Sequence, residues 1–501
     1  MKKIISEILL VMFMTTMISA QNIPEEIQHE INTGEFTHAQ QMISGYVQRN
    51  KMSESEKDVL LFESERLERI KKDFTKTREQ IKSEFEKMLP DVLLSDGNIQ
   101  TMHIRNDAKR PDFSLFELEK YEKEKSLEMR IIDGRRTYFK NAISNLFRIN
   151  KKLKKQKEEI LGPSIDRLAD FKKAIVPVII AESEAKKKKL VYEENFKIIY
   201  TLAVKPNAVP AGEIVKCWLP YPKENHQRQQ RLKLIRTSEV KYILAPDSVL
   251  QRTIYMEKKA KKDSATKFTV EYEITGFAEY NDIFSKGVVP TDDPKLSEYI
   301  TERAPHIVFT DEIKTLSNKI VGDETNSLEK VKKIFTWIHD NIPWASALEY
   351  STIPNISAYC LENLHGDCGI KTLLFMTFCR YNGIPTKWQS GWMLHPVEVN
   401  LHDWCEIYIE PFGWVPVDQS FGLINSENEK EKNFYIGNTD PYHLIVNDNY
   451  SRLLFPVKIF PRSETVDFQR GEVEWKGGNL YFDKWNYDMI VSYSKGKENE
   501  K

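Results

Sequence analysis

The chain has 501 residues, of which 29% are charged and 41% hydrophobic, and its formal net charge is −1. This length allows roughly two to four domains, and the composition is typical of globular ones. The near-zero net charge gives no electrostatic reason to expect nucleic-acid binding. Lysine runs at 151–157 and 186–189 are expected to be solvated helix faces. Beyond the N-terminus no apolar run reaches the roughly 20 residues that span a bilayer, so we expect no stable membrane insertion.

Residues 1–20 have the pattern of a secretory signal peptide. Lysines at positions 2 and 3 precede an apolar stretch over residues 4–18, and the small residues Ser19 and Ala20 precede a polar Gln21. This pattern predicts cleavage after Ala20 and export, so we expect a periplasmic or extracellular protein. The alternative is a short amphipathic N-terminal helix.

Residues 21–190 are highly charged and place apolar residues at near-helical spacing, which predicts a mainly helical N-terminal region. One hairpin interrupts this pattern. Strand-like residues 129–132 and 136–139 flank Asp133-Gly134, a strong two-residue turn signal. If the protein has a protein partner, we expect this region to bind it.

Residues 191–295 change to an alternation of apolar and polar side chains. Strand-like segments at 196–204, 214–219 and 267–274 are separated by Pro, Gly and Asn. This predicts a small β-sandwich. Residues 441–501 again contain strand-like segments and predict a β-rich C-terminal segment.

Residues 296–440 lie between these β-rich parts and begin with helical spacing at 328–338. Cys368 then opens a short, nearly all-apolar helix. At a helix N-terminus the macrodipole and free amides favour a thiolate and could hold an oxyanion. Gly366 and Gly369 let the backbone bend tightly and leave room for a substrate. The alternative is an ordinary half-buried cysteine at a helix cap.

His402 opens a predicted strand over residues 402–410, and the chain returns over 414–417 to Asp418 after a three-residue turn. The even separation of His402 and Asp418 places them on one sheet face. This register leaves them about four residues out of alignment, so a bulge, a different pairing or strong twist would have to bring them together. The alternatives are a surface strand residue for His402 and a turn cap for Asp418.

Five spaced motifs fall within residues 325–425: Gly-Asp-Cys-Gly at 366–369, Asn-Gly-Ile-Pro-Thr-Lys at 382–387, Ser-Gly at 390–391, His-x-Trp-x-Glu at 402–406 and Gly-Trp-x-Pro-x-Asp at 413–418. Together they resemble the transglutaminase-like superfamily. The resemblance implies that Cys368 is the nucleophile, His402 its base and Asp418 the residue that orients the base. It also implies an α+β protein with a papain-like core, in which a central helix capped by the cysteine packs against a small antiparallel sheet.

Two places depart from the common pattern without removing a triad member. Thr386-Lys387 stands where Ala-Arg is usual, which could alter surface pairing. Asp403 stands where Ala is usual in His-Ala-Trp, which could alter the substrate entrance. We expect no cofactor and no metal, because His365 and His395 have no partner at metal-ligand spacing.

The five cysteines show no disulfide framework, and their odd number leaves at least one free thiol. Cys379 and Cys405 lie among apolar residues and are predicted to be buried packing groups. Trp344, Trp404 and Trp414 could line an acyl cleft, although core packing is the more common role for each.

These residues predict an exported cysteine-dependent hydrolase or acyl transferase that acts on amide bonds of peptides or proteins through a thioester. The triad is common to hydrolysis, deamidation and cross-linking, and we favour peptidase or amidase activity over cross-linking. The alternative is a non-catalytic binding or assembly protein built on a transglutaminase-like core.

Overall fold

The structure is a computed structural model that describes residues 23–49, 51–88, 115–285, 287–288 and 293–495. The predicted signal peptide, residues 1–20, lies outside the described residues. The chain divides into two compact units, Met1–Ser164 and Ile165–Lys501. Both contain helices and sheets, and the protein is α+β. Among the described helices, none combines the length and the apolar character that a membrane crossing needs.

The first unit contains helices and one small antiparallel sheet. The helices are α1 (Glu25–Thr33), α2 (Phe36–Arg49), α3 (Glu54–Asp73), α4 (Arg78–Met88), α5 (Leu115–Lys123), α6 (Ala142–Ile149) and α7 (Lys151–Leu161). The strands β1 (Phe74–Lys76), β2 (Met129–Ile132) and β3 (Arg135–Phe139) lie in the order β1-β3-β2. The predicted hairpin is confirmed, because β2 pairs with β3 around Asp133 and Gly134. Their φ angles of 50° and 70° suit an Asp-Gly turn.

The helix α8 (Arg167–Lys186) belongs to the second unit. The predicted helical region 21–190 therefore does not coincide with one compact unit. Val176 and Ile179 on this helix are fully buried, and the ring of Phe171 packs edge-on against Tyr442 at 5.5 Å. The lysine-rich end of the helix marks a change of composition, but the apolar face before it packs within the second unit.

The strands that follow α8 build a β-sandwich, which the C-terminal segment completes. They are β4 (Leu190–Val204), β5 (Ile214–Pro220), β6 (Gln229–Thr237), β7 (Tyr242–Leu244), β8 (Thr253–Lys259) and β9 (Thr266–Glu279). Apolar side chains at alternate positions of β4 are buried, including Ile198, Tyr200 and Leu202. This alternation is the pattern from which the sequence predicts the sandwich.

The core that follows packs helices against a four-stranded antiparallel sheet. The helices are α9 (Asp311–Val321), α10 (Ser327–Asn341), α11 (Ile356–Asn363) and α12 (Cys368–Tyr381). The strands β10 (Thr386–His395), β11 (Glu398–Ile409), β12 (Gly413–Val417) and β13 (His443–Asn447) lie in the order β12-β11-β10-β13; a short helix, α13 (Glu429–Lys432), precedes β13. Since β13 pairs with β10, the sheet extends beyond the predicted core boundary at residue 440.

The last strands are β14 (Glu472–Trp475), β15 (Gly478–Leu480) and β16 (Trp485–Lys495). They do not form a separate sheet. The sandwich sheets have the orders β15-β14-β5-β8-β7 and β16-β4-β9-β6. The predicted C-terminal segment 441–501 thus supplies one strand to the core sheet and three to the sandwich.

Candidate active site

Cys368 begins α12, and local contacts explain why the helix starts there. The side chain of Asp367 caps the helix by accepting from the amide of Ile370 at 3.1 Å. A Cβ atom added at Gly369 would collide with the hydroxyl of Tyr350 and lie 2.7 Å from Asp403 Oδ2. The glycine after the cysteine therefore lets two polar side chains approach the first turn of the helix.

His402 and Asp418 lie on neighbouring strands of the core sheet and contact each other directly. In the pairing of β11 with β12, Ile409 faces Gly413 and Cys405 faces Val417, so Asp418 follows opposite Trp404. His402 is therefore two residues out of alignment, not the predicted four, because the turn starts one residue earlier than expected. Diagonal neighbours on one face are within reach. His402 Nε2 lies 2.6 Å from Asp418 Oδ2, without a bulge between them.

Asp418 is an ionised carboxylate surrounded by donors. Its Oδ1 accepts from the amides of Ser420 and Phe421, each at 2.9 Å. Its Oδ2 accepts from His402 and also from His443 Nε2 at 3.0 Å. Burial alone would raise the pKa of Asp418, but the two histidines hold it well below its usual range. The bond from His402 Nε2 assigns a proton to that nitrogen and leaves Nδ1 as the basic atom.

The thiol of Cys368 has a different neighbour from the one predicted. In the described part of the chain, its hydrogen-bond partner is Asp403 Oδ2 at 3.3 Å rather than His402. Burial raises the pKa of the Cys368 thiol well above its usual range, and the charges of Asp403 and Asp367 raise it further. The residue is half-buried, so water limits this effect. Burial and then the nearby carboxyl groups thus oppose the thiolate that the helix terminus is expected to favour.

Residues next to His402 and Asp418 attach the Cys368 turn to the sheet. Asp403 contacts the thiol, and Gln419 donates to the carbonyl of Cys368 at 3.4 Å. Both are buried. The structure thus brings His402 and Asp418 into direct contact and places Cys368 beside the residues that follow each of them.

Two carboxyl groups, Asp403 and Asp367, lie close to the nucleophile, and a third, Asp467, interacts with Asp403. The hydroxyl of Tyr350 lies 2.8 Å from Asp367 and 3.1 Å from Asp403. Burial and then the neighbouring Asp467 and Asp367 raise the pKa of Asp403 well above its usual range. Burial likewise raises the pKa of Asp367 and of Asp467 to about 6. Asp403 and Asp367 are therefore neutral at acidic pH, and each adds a negative charge near the thiol once it ionises.

The C-terminal segment reaches this site through Gln469. Its side-chain amide donates to the carbonyl of His402 and to Asp403 Oδ1, both at 2.7 Å. Asp403 could be noticed in the sequence because it stands where Ala is usual in the His-Ala-Trp motif, whereas no sequence motif points to Gln469. Asp403 lies against the nucleophile itself rather than only at an entrance.

Two groups of buried side chains are of the kinds that ligate metals. They are His395 with Asp440 and His443, and His402 with Asp418 and His443, with ligand atoms within 4.8 Å of one another. Hydrogen bonds join these residues through His395 Nε2, His402 Nε2 and both nitrogens of His443. The expectation that His395 has no partner at metal-ligand spacing is wrong, since Asp440 Oδ2 lies 3.1 Å from its Nε2.

The three tryptophans take different positions. Trp404 is buried, and its indole donates to Gln389 at 2.9 Å. The ring of Trp414 packs against Tyr299. Trp344 is 43% exposed, and its backbone bridges to Gly366, so it lies at the approach to the Cys368 turn.

Lys387, in the first of the two departures from the common motifs, also has a partner. Lys387 Nζ lies 2.7 Å from Glu406 and 4.9 Å from the centroid of the Trp414 ring. All five cysteines are free, and Cys379 and Cys405 are buried as predicted.

Residues 314–419 match the family model of the transglutaminase-like superfamily. This stretch contains Cys368, His402 and Asp418, and the resemblance inferred from the spaced motifs is confirmed for it. A curated relative is the uncharacterized protein YebA of Bacillus subtilis (strain 168), which is 20% identical over 248 residues, covering 43% of this chain and 34% of that protein. The chain thus spans about a third of the length of the curated relative it matches.

Two solved structures are also similar to this chain. One is a candidate cysteine protease from Cytophaga hutchinsonii, at 14% identity and a TM-score of 0.42, covering 61% of this chain and 91% of that chain. The other is the periplasmic domain of TgpA from Pseudomonas aeruginosa, at 11% identity and a TM-score of 0.24, covering 44% of this chain and 88% of that chain.

Proposed function

We propose that the protein is a cysteine-dependent hydrolase of amide bonds in peptides or proteins, with Cys368 as nucleophile, His402 as base and Asp418 as the residue that orients the base. The observation that carries the proposal is the 2.6 Å bond between His402 Nε2 and Asp418 Oδ2. It leaves His402 Nδ1 free to take a proton, on a strand that packs against the helix opened by Cys368.

The proposed reaction follows from these groups. The thiol proton moves to His402 Nδ1 as the sulfur attacks the amide carbonyl, and a carbon–sulfur bond forms. The amide of Gly369 donates to Tyr350 and that of Ile370 to Asp367. Among the described hydrogen bonds the amide of Cys368 has no acceptor, so it is the donor of this turn available to an oxyanion.

The intermediate then collapses to a thioester. The carbon–nitrogen bond breaks, and His402 gives its proton to the leaving amine. A water molecule that loses a proton to His402 releases the acid and restores the thiol. An amine in place of water would give a cross-link. We propose water as the usual acceptor.

One observation favours the alternative, a binding or assembly protein without turnover: the thiol is hydrogen-bonded to Asp403 and not to His402. Labelling with a thiol-reactive probe distinguishes the hydrolase from the binding protein. A catalytic Cys368 should label faster than the other cysteines near neutral pH, and His402→Gln should slow that labelling. Equal labelling in both proteins would favour the binding protein.

The direct test is product analysis. The reduced protein is incubated with a peptide library and the products are identified by mass spectrometry. Cleavage, deamidation and amine incorporation give different masses. Cys368→Ala should lose every product, whereas Cys360→Ala, a matched change at a buried cysteine on α11, should retain them. Products that persist in Cys368→Ala would contradict the proposal.

We also propose that the protein is exported, because residues 1–20 have the features of a signal peptide. N-terminal peptide mapping of the protein from its native cell should then find a mature chain that begins at Gln21. A chain that still carries residues 1–20 would refute export by cleavage.

A further inference from the structure

A second buried histidine shares the carboxylate of Asp418. His443 Nε2 lies 3.0 Å from Asp418 Oδ2, the oxygen that also receives His402 Nε2. The other nitrogen of His443, Nδ1, lies 3.0 Å from Asp440 Oδ1. His443 is therefore held between two carboxyl groups, and all three residues are buried.

Counting protons decides the charge of His443. Besides His443, the donors to the two carboxylates are His402 Nε2, Ser420 N and Phe421 N for Asp418, and His395 Nε2, Tyr435 Oη and Tyr442 N for Asp440. Donors thus surround both carboxylates. Neither carboxyl group therefore carries a proton that it could donate to His443. A neutral His443 would turn one nitrogen lone pair toward an anion. Both of its nitrogens therefore carry protons.

We propose that His443 is a positioning residue of the candidate active site, a buried side chain that is an imidazolium at neutral pH, fixes the orientation and charge of Asp418 and thereby sets the basicity of His402. This inference rests on the proposed function only in taking His402 as the base. It adds a fourth and a fifth member, His443 and Asp440, to the three residues that the motifs indicate.

The charge of His443 bears on His402 directly. Their ring centroids are 5.4 Å apart. At that separation and an effective dielectric constant of about 20, a unit positive charge shifts the protonation midpoint of a neighbouring imidazole by roughly two pH units. An anionic Asp418 alone would favour the charged form of His402. The imidazolium of His443 offsets the charge of this anion.

The other charged groups around His443 fit this arrangement. Burial alone would lower the pKa of His443, but Asp440 and Asp418 raise it to about 9. Burial lowers the pKa of His395, which suits a neutral ring that donates through Nε2. From α8, Lys172 donates to the carbonyl of Phe421 at 3.1 Å and lies 4.4 Å from the centroid of its ring.

Positive groups face both carboxylates of this cluster. Besides His443, the side chains of Lys172 and Lys371 interact with Asp418, and Lys172 also interacts with Asp440. Loss of the charge on His443 would remove a positive charge from the ring whose centroid lies 5.4 Å from that of His402.

The test is an NMR titration of imidazole ¹³Cε1 signals in the full-length protein, in a Cys368→Ala background that removes the thiol from the titration. His443→Gln deletes the charge of His443 and keeps one hydrogen-bond donor. His395→Gln is the matched control, because His395 bonds Asp440 instead of Asp418. We expect the midpoint of His402 to rise by roughly one to two pH units in His443→Gln and to stay unchanged in His395→Gln. An unchanged midpoint in His443→Gln, or an equal rise in the control, would overturn the proposal.

If His443→Gln does not fold, the same titration of the protein with His443 unchanged still tests the proposal. The His443 ring should show the shifts of a doubly protonated imidazolium at neutral pH, whereas a neutral ring there would overturn the proposal. So would a stoichiometric metal ion that elemental analysis finds and that His443→Gln removes. None of these readouts requires turnover, so a failure of the proposed enzymatic function would not be mistaken for a failure of this inference.

Discussion

Replacing Asp403 by Asn should make Cys368 more reactive. The carboxyl oxygen lies 3.3 Å from the sulfur, and at an effective dielectric constant of about 20 two unit charges at that distance repel by roughly 5 kcal/mol. This value is an upper limit, because Asp403 can relieve the repulsion by taking up a proton. We therefore expect the pKa of the Cys368 thiol to fall in Asp403→Asn, with the carboxamide still able to bond Tyr350 and Gln469.

The assay is the rate of alkylation of Cys368 by iodoacetamide, followed by peptide mass spectrometry near neutral pH. Each unit by which the pKa of the thiol falls raises the thiolate fraction about tenfold, but a less basic thiolate is a weaker nucleophile, so the net gain in rate is roughly threefold per unit. Asp467→Asn is the matched control, since Asp467 belongs to the same carboxyl group cluster but bonds Ser390 instead of the thiol. If folded Asp403→Asn reacts at the original rate or more slowly, Asp403 does not oppose ionisation of Cys368.

Three further predictions concern the orienting carboxylate, the buried imidazolium and the unit boundary. Asp418→Asn should reduce kcat by about 10⁴, as the equivalent change does in a serine triad, with little change in KM; an unchanged kcat would remove Asp418 from the site. Because the pKa of His443 is raised to about 9, from roughly 6.5 in the unfolded chain, it should contribute about 3 kcal/mol of stability below pH 6.5 that is lost as the pH rises through 9. Thermal unfolding as a function of pH should show this loss, and His443→Gln should lack it. Limited proteolysis should cut at residues 162–165, between the two units, and leave a fragment that still labels at Cys368; a stable fragment that begins near residue 190 would show that α8 is dispensable.

The local features of the site could be predicted from sequence because they depend on spacing over a few residues. The helix Cys368–Tyr381 begins at the cysteine that the sequence predicts as its first residue. The shared sheet face of His402 and Asp418 followed from their even separation. Their alignment along the two strands could not be predicted, because moving a turn by one residue changes the strand register by two. Alternation alone does not determine where a turn starts.

The contacts that set the chemistry of the thiol are long-range, and local pattern does not encode them. Asp403 is 35 positions from Cys368 in the chain, and Gln469 bonds Asp403 across 66 positions. The late strand β16 pairs with β4, with Trp485 opposite Val204, although nothing in either segment specifies which sheet edge a C-terminal strand joins. The predicted helical region 21–190 also includes α8, although the apolar face of this helix packs within the second unit.

The most direct test of the central claim, that Cys368 forms a thioester during amide cleavage, is acid-quenched mass spectrometry of the protein mixed with a peptide that it cleaves. We expect an acyl adduct on Cys368 that neutral hydroxylamine removes, that is absent in Cys368→Ala, and that forms more slowly in His402→Gln. Cleavage of the same peptide by Cys368→Ala, or an adduct confined to another residue, would contradict the claim.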